Sequence, residues 1–307
     1  MTKLIDKIFP AMGTVCSVTV RGDRAEAAAA AVKGRIMELH EKLNAYDPCS
    51  EISRINRNAG GSFTEVSADT LQLIKRSLRF SEQTDGVFDI TTTPLSRLWK
   101  DAIKKKRLPA EQDVRRAAAL ANYRDVTVDG SRVLLKRPGQ QIDLGAIAKG
   151  YAAEEAKRIL TSYGVSDALI NLGGTVVAIG KPQTVGIQDP FAGTGVPCAW
   201  VTVQNKAVVT SGLYEQGFQA NGKTYHHIVD PKTGYPSDAE TAGITLVGEN
   251  AEELDALSTA AFILPINKAG KMLRSRGIDA VFITKRGNVY LTDGLPDKFR
   301  FLSKAFL

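Results

Sequence analysis

The segment Thr224 to Pro236, TYHHIVDPKTGYP, holds two of the three histidines of this 307-residue chain, His226 and His227; the third is His40. Imidazole is the side chain best suited to take up a proton near neutral pH. Two histidines next to Asp230 and a Pro-Lys-Thr-Gly turn point to a general base held by that turn, or to a surface turn with incidental imidazoles. A second candidate is ELDALSTAA, Glu253 to Ala261. Asp255 and Thr259 are four apart and share one helix face. Their carboxylate and hydroxyl suit a hard cation such as Mg2+, which needs few protein ligands. Asp255 equally suits the first turn of a helix, where a negative charge meets the positive end of the dipole.

Three further stretches carry polar groups in patterned surroundings. QQIDLGAIAKGYA, Gln140 to Ala152, reads as a strand with Asp143 that passes through Gly145 into a helix. Such a turn exposes backbone N–H groups that suit a phosphate. Lys149 lies near that helix start, against the dipole, which suggests a ligand anion or a side chain directed to water. GVFDITTTPL, Gly86 to Leu95, places Asp89 and three threonines between an apolar pair and a proline and reads as a strand followed by a capped turn. NLGG (Asn171 to Gly174) and VVTSG (Val208 to Gly212) allow a backbone to approach a ligand closely, as do ordinary tight turns.

Several chemistries are excluded. GGTVVAIGKP has five residues between Gly174 and Gly180 where a phosphate loop has four, and Pro182 where Ser or Thr would be needed. GxGxxG, GxSxG and HExxH are absent. The three cysteines, Cys16, Cys49 and Cys198, are widely spaced and form no CxxC, which argues against a disulfide framework or a structural zinc site. A net charge of +7 favours anionic partners. Part of it lies in KDAIKKKR, Lys100 to Arg107, which reads as a solvated loop, and no nucleic-acid-binding signature accompanies it. The start of the chain, Met1 to Gly13, has no apolar signal core, and no run of about 18 apolar residues occurs, so the chain reads as soluble with its compartment open.

The elements that must position these groups mix helices with hairpins. Helices are expected over 25–43, 67–84 (with Ser67 as N-cap), 109–122, 148–163 (closed by Gly164), 251–262 and 267–276. Strand patterns occupy 14–20, several stretches between 167 and 210, and the last part of the chain. Residues 125–136 form a hairpin with Asp-Gly at its turn. This order argues for an α+β fold rather than a doubly wound parallel sheet. It is helix-rich to about residue 120 and strand-rich beyond, with no low-complexity linker.

AMGT (Ala11 to Thr14), YDPCSEISRIN (Tyr46 to Asn56), GVFDITTTPL, IDLGAIAKGYA, ALINLGG, VVTSG, YHHIVDPKTG and DALSTAAF, in this order, resemble the ApbE family of FAD:protein FMN transferases. The resemblance covers about residues 8 to 295 and implies a single domain of that family's fold, with largely antiparallel sheets, flanking helices and two intertwined lobes. It implies FAD as substrate with Mg2+ as cofactor. It also implies transfer of FMN to a Ser or Thr hydroxyl of an acceptor flavoprotein and release of AMP; a nucleic-acid partner is disfavoured by the missing signatures. By resemblance, Met12, Tyr46, Phe88 and Asp89 contact FAD, and Tyr46 stacks on one of its rings. Lys149, Gly145 and Gly150 lie near the pyrophosphate. Asp255, Thr259 and the Ala146 carbonyl hold the metal. His227 is the base, with His226 its more variable neighbour. Two positions depart from the family pattern: Cys49 stands where a small polar or acidic residue is more usual, and Thr175 where Asp or Asn is. An FAD pyrophosphatase giving FMN and AMP, and a non-catalytic FAD-binding protein, are the alternatives. Many relatives are tethered outside the cytoplasmic membrane.

Overall fold

A computed structural model describes residues 3–213 and 217–302. The chain opens with β1 (Leu4–Ala11), β2 (Thr14–Arg21), α1 (Ala25–Leu43), α2 (Glu51–Arg57), β3 (Thr64–Glu65), α3 (Ala68–Gln83), α4 (Thr93–Lys105) and α5 (Glu111–Ala118). It continues with β4 (Val126–Asp129), β5 (Arg132–Leu135), α6 (Ala148–Ser162), β6 (Asp167–Asn171), β7 (Thr175–Ile179), β8 (Gln183–Gln188), β9 (Pro197–Val203) and β10 (Ala207–Gly212). It closes with β11 (Phe218–Ala220), β12 (Lys223–Tyr225), β13 (Thr241–Gly248), α7 (Ala251–Ile263), α8 (Ile266–Arg274), β14 (Asp279–Thr284), β15 (Val289–Leu291) and β16 (Phe299–Phe301). Every strand pairing among the described residues is antiparallel, and the fold is α+β.

Two compact units share this chain. The first comprises Met1–His40, Ile147–Tyr214 and Glu240–Leu307; the second comprises Glu41–Ala146 and Glu215–Ala239. In the first unit, eight strands form one sheet in the order β1-β2-β6-β7-β10-β13-β14-β15, and a smaller sheet runs β16-β9-β8. The two sheets stack through Val185, Ile187, Val201, Val203 and Phe299 of the smaller and Ala178, Val208, Val247, Val281 and Ile283 of the larger. Strand side chains alternate between faces. Val208 therefore meets the small sheet, while Ser211, of opposite parity on β10, reaches Ser258 of α7 at 2.9 Å. Helices α6 and α7 pack on each other and on that second face of the large sheet, and α8 packs on β14. The result is three layers: helices, large sheet, small sheet.

The second unit holds the sheet β3-β5-β4, the hairpin β11-β12 and helices α2 to α5. Leu95, Trp99, Ala102 and Ile103 of α4 pack with Val114, Phe218 and Val229 in its core.

Three expectations are corrected. The basic run is mostly helical: α4 extends to Lys105 and ends with Lys106 in the left-handed region at φ 50°. Its apolar stripe is buried and its lysines face water, so the run is a helix face rather than a loop. No strand forms at Val87–Ile90 or at Gln140–Leu144. Both segments are held by individual bonds in place of a ladder: Asp143 N donates to the Ile90 carbonyl at 3.0 Å, and Ile142 N and O are both taken by the Asn56 side chain.

Candidate active site

In the first unit, α6 and α7 meet at their starts. Ile147, the N-cap of α6, provides no side-chain cap. At that helix start, where N–H groups have no partner within the helix, Gly150 N–H donates to Asp255 Oδ2 of α7 at 2.8 Å. The exchange is mutual, because Glu154 Oε1 of α6 accepts from Ala251 N, the first residue of α7, at 2.7 Å. The crossing is close: a Cβ on Gly150 would lie 2.3 Å from the Ala251 carbonyl and 2.7 Å from Asp255 Cβ. Asp255 is 5% exposed, and its orientation is fixed by the Gly150 N–H. Thr259 lies one turn further along α7, half-buried. Ser258 between them donates to the Asp255 carbonyl at 2.8 Å. Lys149 occupies the first turn of α6 and is half-buried.

At the β1–β2 turn, Met12 has φ 53° and Gly13 φ 73°, and Met12 N donates to His40 Nδ1 at 3.3 Å. This left-handed pair makes a two-residue hairpin turn that strands of right-handed twist favour. Gly173 of the NLGG turn packs on it so closely that a Cβ would sit 2.1 Å from Thr14 Oγ1. The AMGT and NLGG segments thus form one corner of the unit. Thr175, which follows the double glycine, is fully buried, and its hydroxyl has no hydrogen-bond partner among the described residues. Cys16 is buried behind this corner; burial pushes its thiol up to about 11.

In the second unit, the two histidines differ in their surroundings. His226 is 1% exposed. Its Nδ1 accepts from Ile228 N at 3.2 Å, so the ring proton resides on Nε2, which donates to the Ser237 carbonyl at 3.0 Å. Both ring nitrogens are committed, and His226 is a structural residue. His227 is half-buried. The turn that follows is built by Asp230: its side chain accepts from Lys232 N at 2.9 Å, its carbonyl from Gly234 N at 2.9 Å, and its N–H donates to the Tyr235 carbonyl. Gly234 has φ 77°, the left-handed region that glycine enters at no steric cost. Trp99 Nε1 clamps the Gly234 carbonyl at 2.8 Å, and the Trp99 ring stacks on Tyr225 at 5.3 Å.

Asp89 is buried in a knot of donors. One oxygen accepts from Thr91 N at 2.7 Å and from the Thr91 hydroxyl at 2.6 Å; the other accepts from Tyr123 N at 3.0 Å. Burial outweighs these bonds and raises its pKa above the ordinary 3.8. Phe88 is buried and meets Phe80 edge-on. Tyr46 is 59% exposed, with Lys100 Nζ 5.3 Å and Arg97 5.7 Å from its ring centroid. Gly145 is exposed; its N–H closes a small turn on Asp143 Oδ1 at 2.8 Å, and Ala146 follows.

Of the residues singled out in the sequence, Met12, Lys149, Gly150, Asp255 and Thr259 belong to the first unit. Tyr46, Phe88, Asp89, Gly145, Ala146 and His227 belong to the second. Four supporting residues have no role in the sequence analysis: Thr14 and Asn56, which lie at the ends of two of its motifs, and Trp99 and Glu154. Trp99, an indole on the apolar stripe of α4, left a signal; the other three act through partners distant in the chain.

The ApbE family profile matches residues 12–282. The chain is 36% identical over 279 residues to an FAD:protein FMN transferase of Klebsiella pneumoniae (strain 342), covering 90% of this chain and 87% of that protein. It is 30% identical over 321 residues to one of Treponema pallidum (strain Nichols), covering 96% and 89%. Its fold superimposes on the crystal structure of the ApbE protein from Thermotoga maritima with a TM-score of 0.86 at 30% identity, over 95% of this chain and 98% of the other. This protein belongs to the ApbE family.

Proposed function

We propose that this chain is an FAD:protein FMN transferase, which moves the FMN part of FAD onto a hydroxyl of an acceptor flavoprotein and releases AMP. The observation that carries this reading is the relationship, over 90% of the chain, to a relative that bears that description.

In the reaction, the acceptor hydroxyl oxygen forms a bond to the FMN-side phosphorus while the bond from that phosphorus to the AMP oxygen breaks. Such transfers depend on positioning and charge neutralisation more than on covalent help. We assign the hydroxyl proton to His227, a role worth roughly 10²–10⁴-fold in rate. His226 cannot share it, because both its nitrogens are engaged. Lys149 and the N–H groups about Gly145 are assigned to the pyrophosphate, Tyr46 to a ring of FAD, and Met12, Phe88 and Asp89 to its surroundings. Asp89, closed in by Thr91 and Tyr123, acts by shaping its segment.

We assign Asp255, Thr259 and the Ala146 carbonyl to Mg2+. The residues fit that ion. All three donors are hard oxygens, and Gly150 N–H orients the Asp255 carboxylate. Bound there, Mg2+ would act as a Lewis acid toward phosphate oxygens.

The test is mass spectrometry of a candidate acceptor with a Ser/Thr flavinylation motif, incubated with the protein, FAD and Mg2+. The expected result is a mass gain equal to FMN less water, with AMP released in equal amount. AMP and free FMN without protein-bound flavin would refute the transfer reading.

A further inference from the structure

The outer face of the small sheet in the first unit carries a second candidate ligand site. On this sheet, Val185, Val201 and Phe299 point into the core between the sheets. Their neighbours Thr184, Trp200, Thr202 and Arg300 therefore point outward. With Lys298 they line a cleft of about 530 Å³, within the range of small-molecule sites. Register lines up the key groups in one row, since Trp200 pairs with Gly186 on one side and with Arg300 on the other. The glycine makes room for the indole. A Cβ at Gly186 would lie 3.0 Å from the Trp200 ring, so the ring lies over the backbone there. Beside it, the Thr184 and Thr202 hydroxyls meet at 3.4 Å.

The charge is equally uneven. Among the described residues no carboxylate lines the cleft. The exposed Lys298 and Arg300 side chains form no ion pair or hydrogen bond among the described residues. Two cations without a carboxylate partner among the described residues, a partly exposed indole and two hydroxyls meet the needs of one ligand chemistry. A flat ring stacks on the indole, a phosphate takes charge-assisted bonds from Lys298 and Arg300, and a sugar or ribityl hydroxyl meets the threonines.

We propose that this cleft binds a mononucleotide, a planar heterocycle bearing one phosphate, of the adenosine or the flavin type. It is separate from Asp255 and α7, because the large sheet stands between them: α7 packs on the face of that sheet opposite to the one the small sheet covers.

The chain has only two tryptophans, Trp99 and Trp200, so fluorotryptophan labelling gives two 19F signals, assigned with Trp200→Phe. AMP and FMN are titrated separately, with adenosine and inorganic phosphate as fragments. The expected result is a saturable shift of the Trp200 signal with at least one monophosphate. About tenfold weaker binding is expected for adenosine and for the double variant Lys298→Glu/Arg300→Glu, which keeps its FAD consumption. The proposal is overturned if the Trp200 signal stays fixed at millimolar AMP and FMN. It is also overturned if adenosine or the charge-reversed protein responds as strongly, or if a single-stranded oligonucleotide binds the cleft far more tightly than either monophosphate.

Discussion

Gly150→Ala sets two well-measured effects against each other. Gly150 lies in the first turn of α6, and alanine is favoured over glycine in a helix by up to about 1 kcal/mol. Propensity alone predicts a more stable protein. Packing predicts the reverse. The new Cβ would meet the Ala251 carbonyl at 2.3 Å, Glu252 Cα at 2.7 Å and Asp255 Cβ at 2.7 Å. Two of these contacts are with backbone, so α6 and α7 must separate. Overpacking of this kind costs about 1–3 kcal/mol. Separation also breaks the bond from Gly150 N–H to the Asp255 carboxylate, and bonds to charged groups contribute about 1.5–3 kcal/mol. The net loss is about 2–5 kcal/mol, or a fall in Tm of roughly 5–15 °C for a unit of this size. Gly34, within α1 and exposed, supplies the control. A Cβ there meets nothing within 4 Å, so Gly34→Ala should raise stability by up to about 1 kcal/mol. Denaturant unfolding of both variants, followed by circular dichroism, gives the comparison. If Gly150→Ala proves as stable as the parent while Gly34→Ala behaves as expected, the close crossing of α6 and α7 is wrong.

Four further outcomes follow. His227→Ala should retain FAD binding by equilibrium dialysis and lose transfer by roughly 10²–10⁴-fold; unchanged transfer would remove the base assignment. Of the three cysteines, only Cys49 is exposed, while burial pushes Cys16 and Cys198 up to about 11; a thiol reagent at neutral pH should titrate one group in the native protein and three after denaturation, and two fast native groups would contradict the burial. Asp89 has a raised pKa, so its contribution to stability is fully present below 3.8 and declines as pH rises through the higher folded-state value; stability of the parent relative to Asp89→Asn should therefore fall with pH just above 3.8, and parallel pH curves would contradict this. Thr175→Val removes a buried hydroxyl without a partner at almost constant volume and should be neutral or stabilising by about 1 kcal/mol in thermal unfolding; a loss of more than that would reveal a bond to the hydroxyl.

Periodic elements could be read directly from the residues. Helices α1, α3 and α6 have their apolar stripes, α7 is an apolar segment buried on nearly every side, and the Asp-Gly pair marks the β4–β5 turn. Helix α4 was hidden because Thr93-Pro94 looks like the end of a turn, yet proline is well suited to the first turn of a helix. The lysines that follow then obscured the stripe Leu95, Trp99, Ala102 and Ile103. The segments about Asp89 and Asp143 read as strands because they are apolar; what holds them is Asn56, Thr91 and Tyr123, which no local pattern reveals. Site chemistry was legible residue by residue. Which atoms meet was not, since Gly150 and Asp255 are 105 positions apart. The contrast between His226 and His227 likewise required knowing where each ring lies.

The mutual capping of α6 and α7 has a bearing on how the molecule is made. Synthesis delivers α6 first, with no side-chain cap of its own at Ile147. Its anion, Asp255, emerges only after five further strands, β6 to β10, together with the hairpin β11-β12 and β13. A short helix is marginal in water without tertiary support. The start of α7 carries a local cap, since the Asn250 side chain accepts from Glu253 N, whereas the Gly150 N–H gains its carboxylate partner only once α7 has been made. The carboxylate assigned to the metal is thus also the group that completes a helix begun some hundred residues earlier.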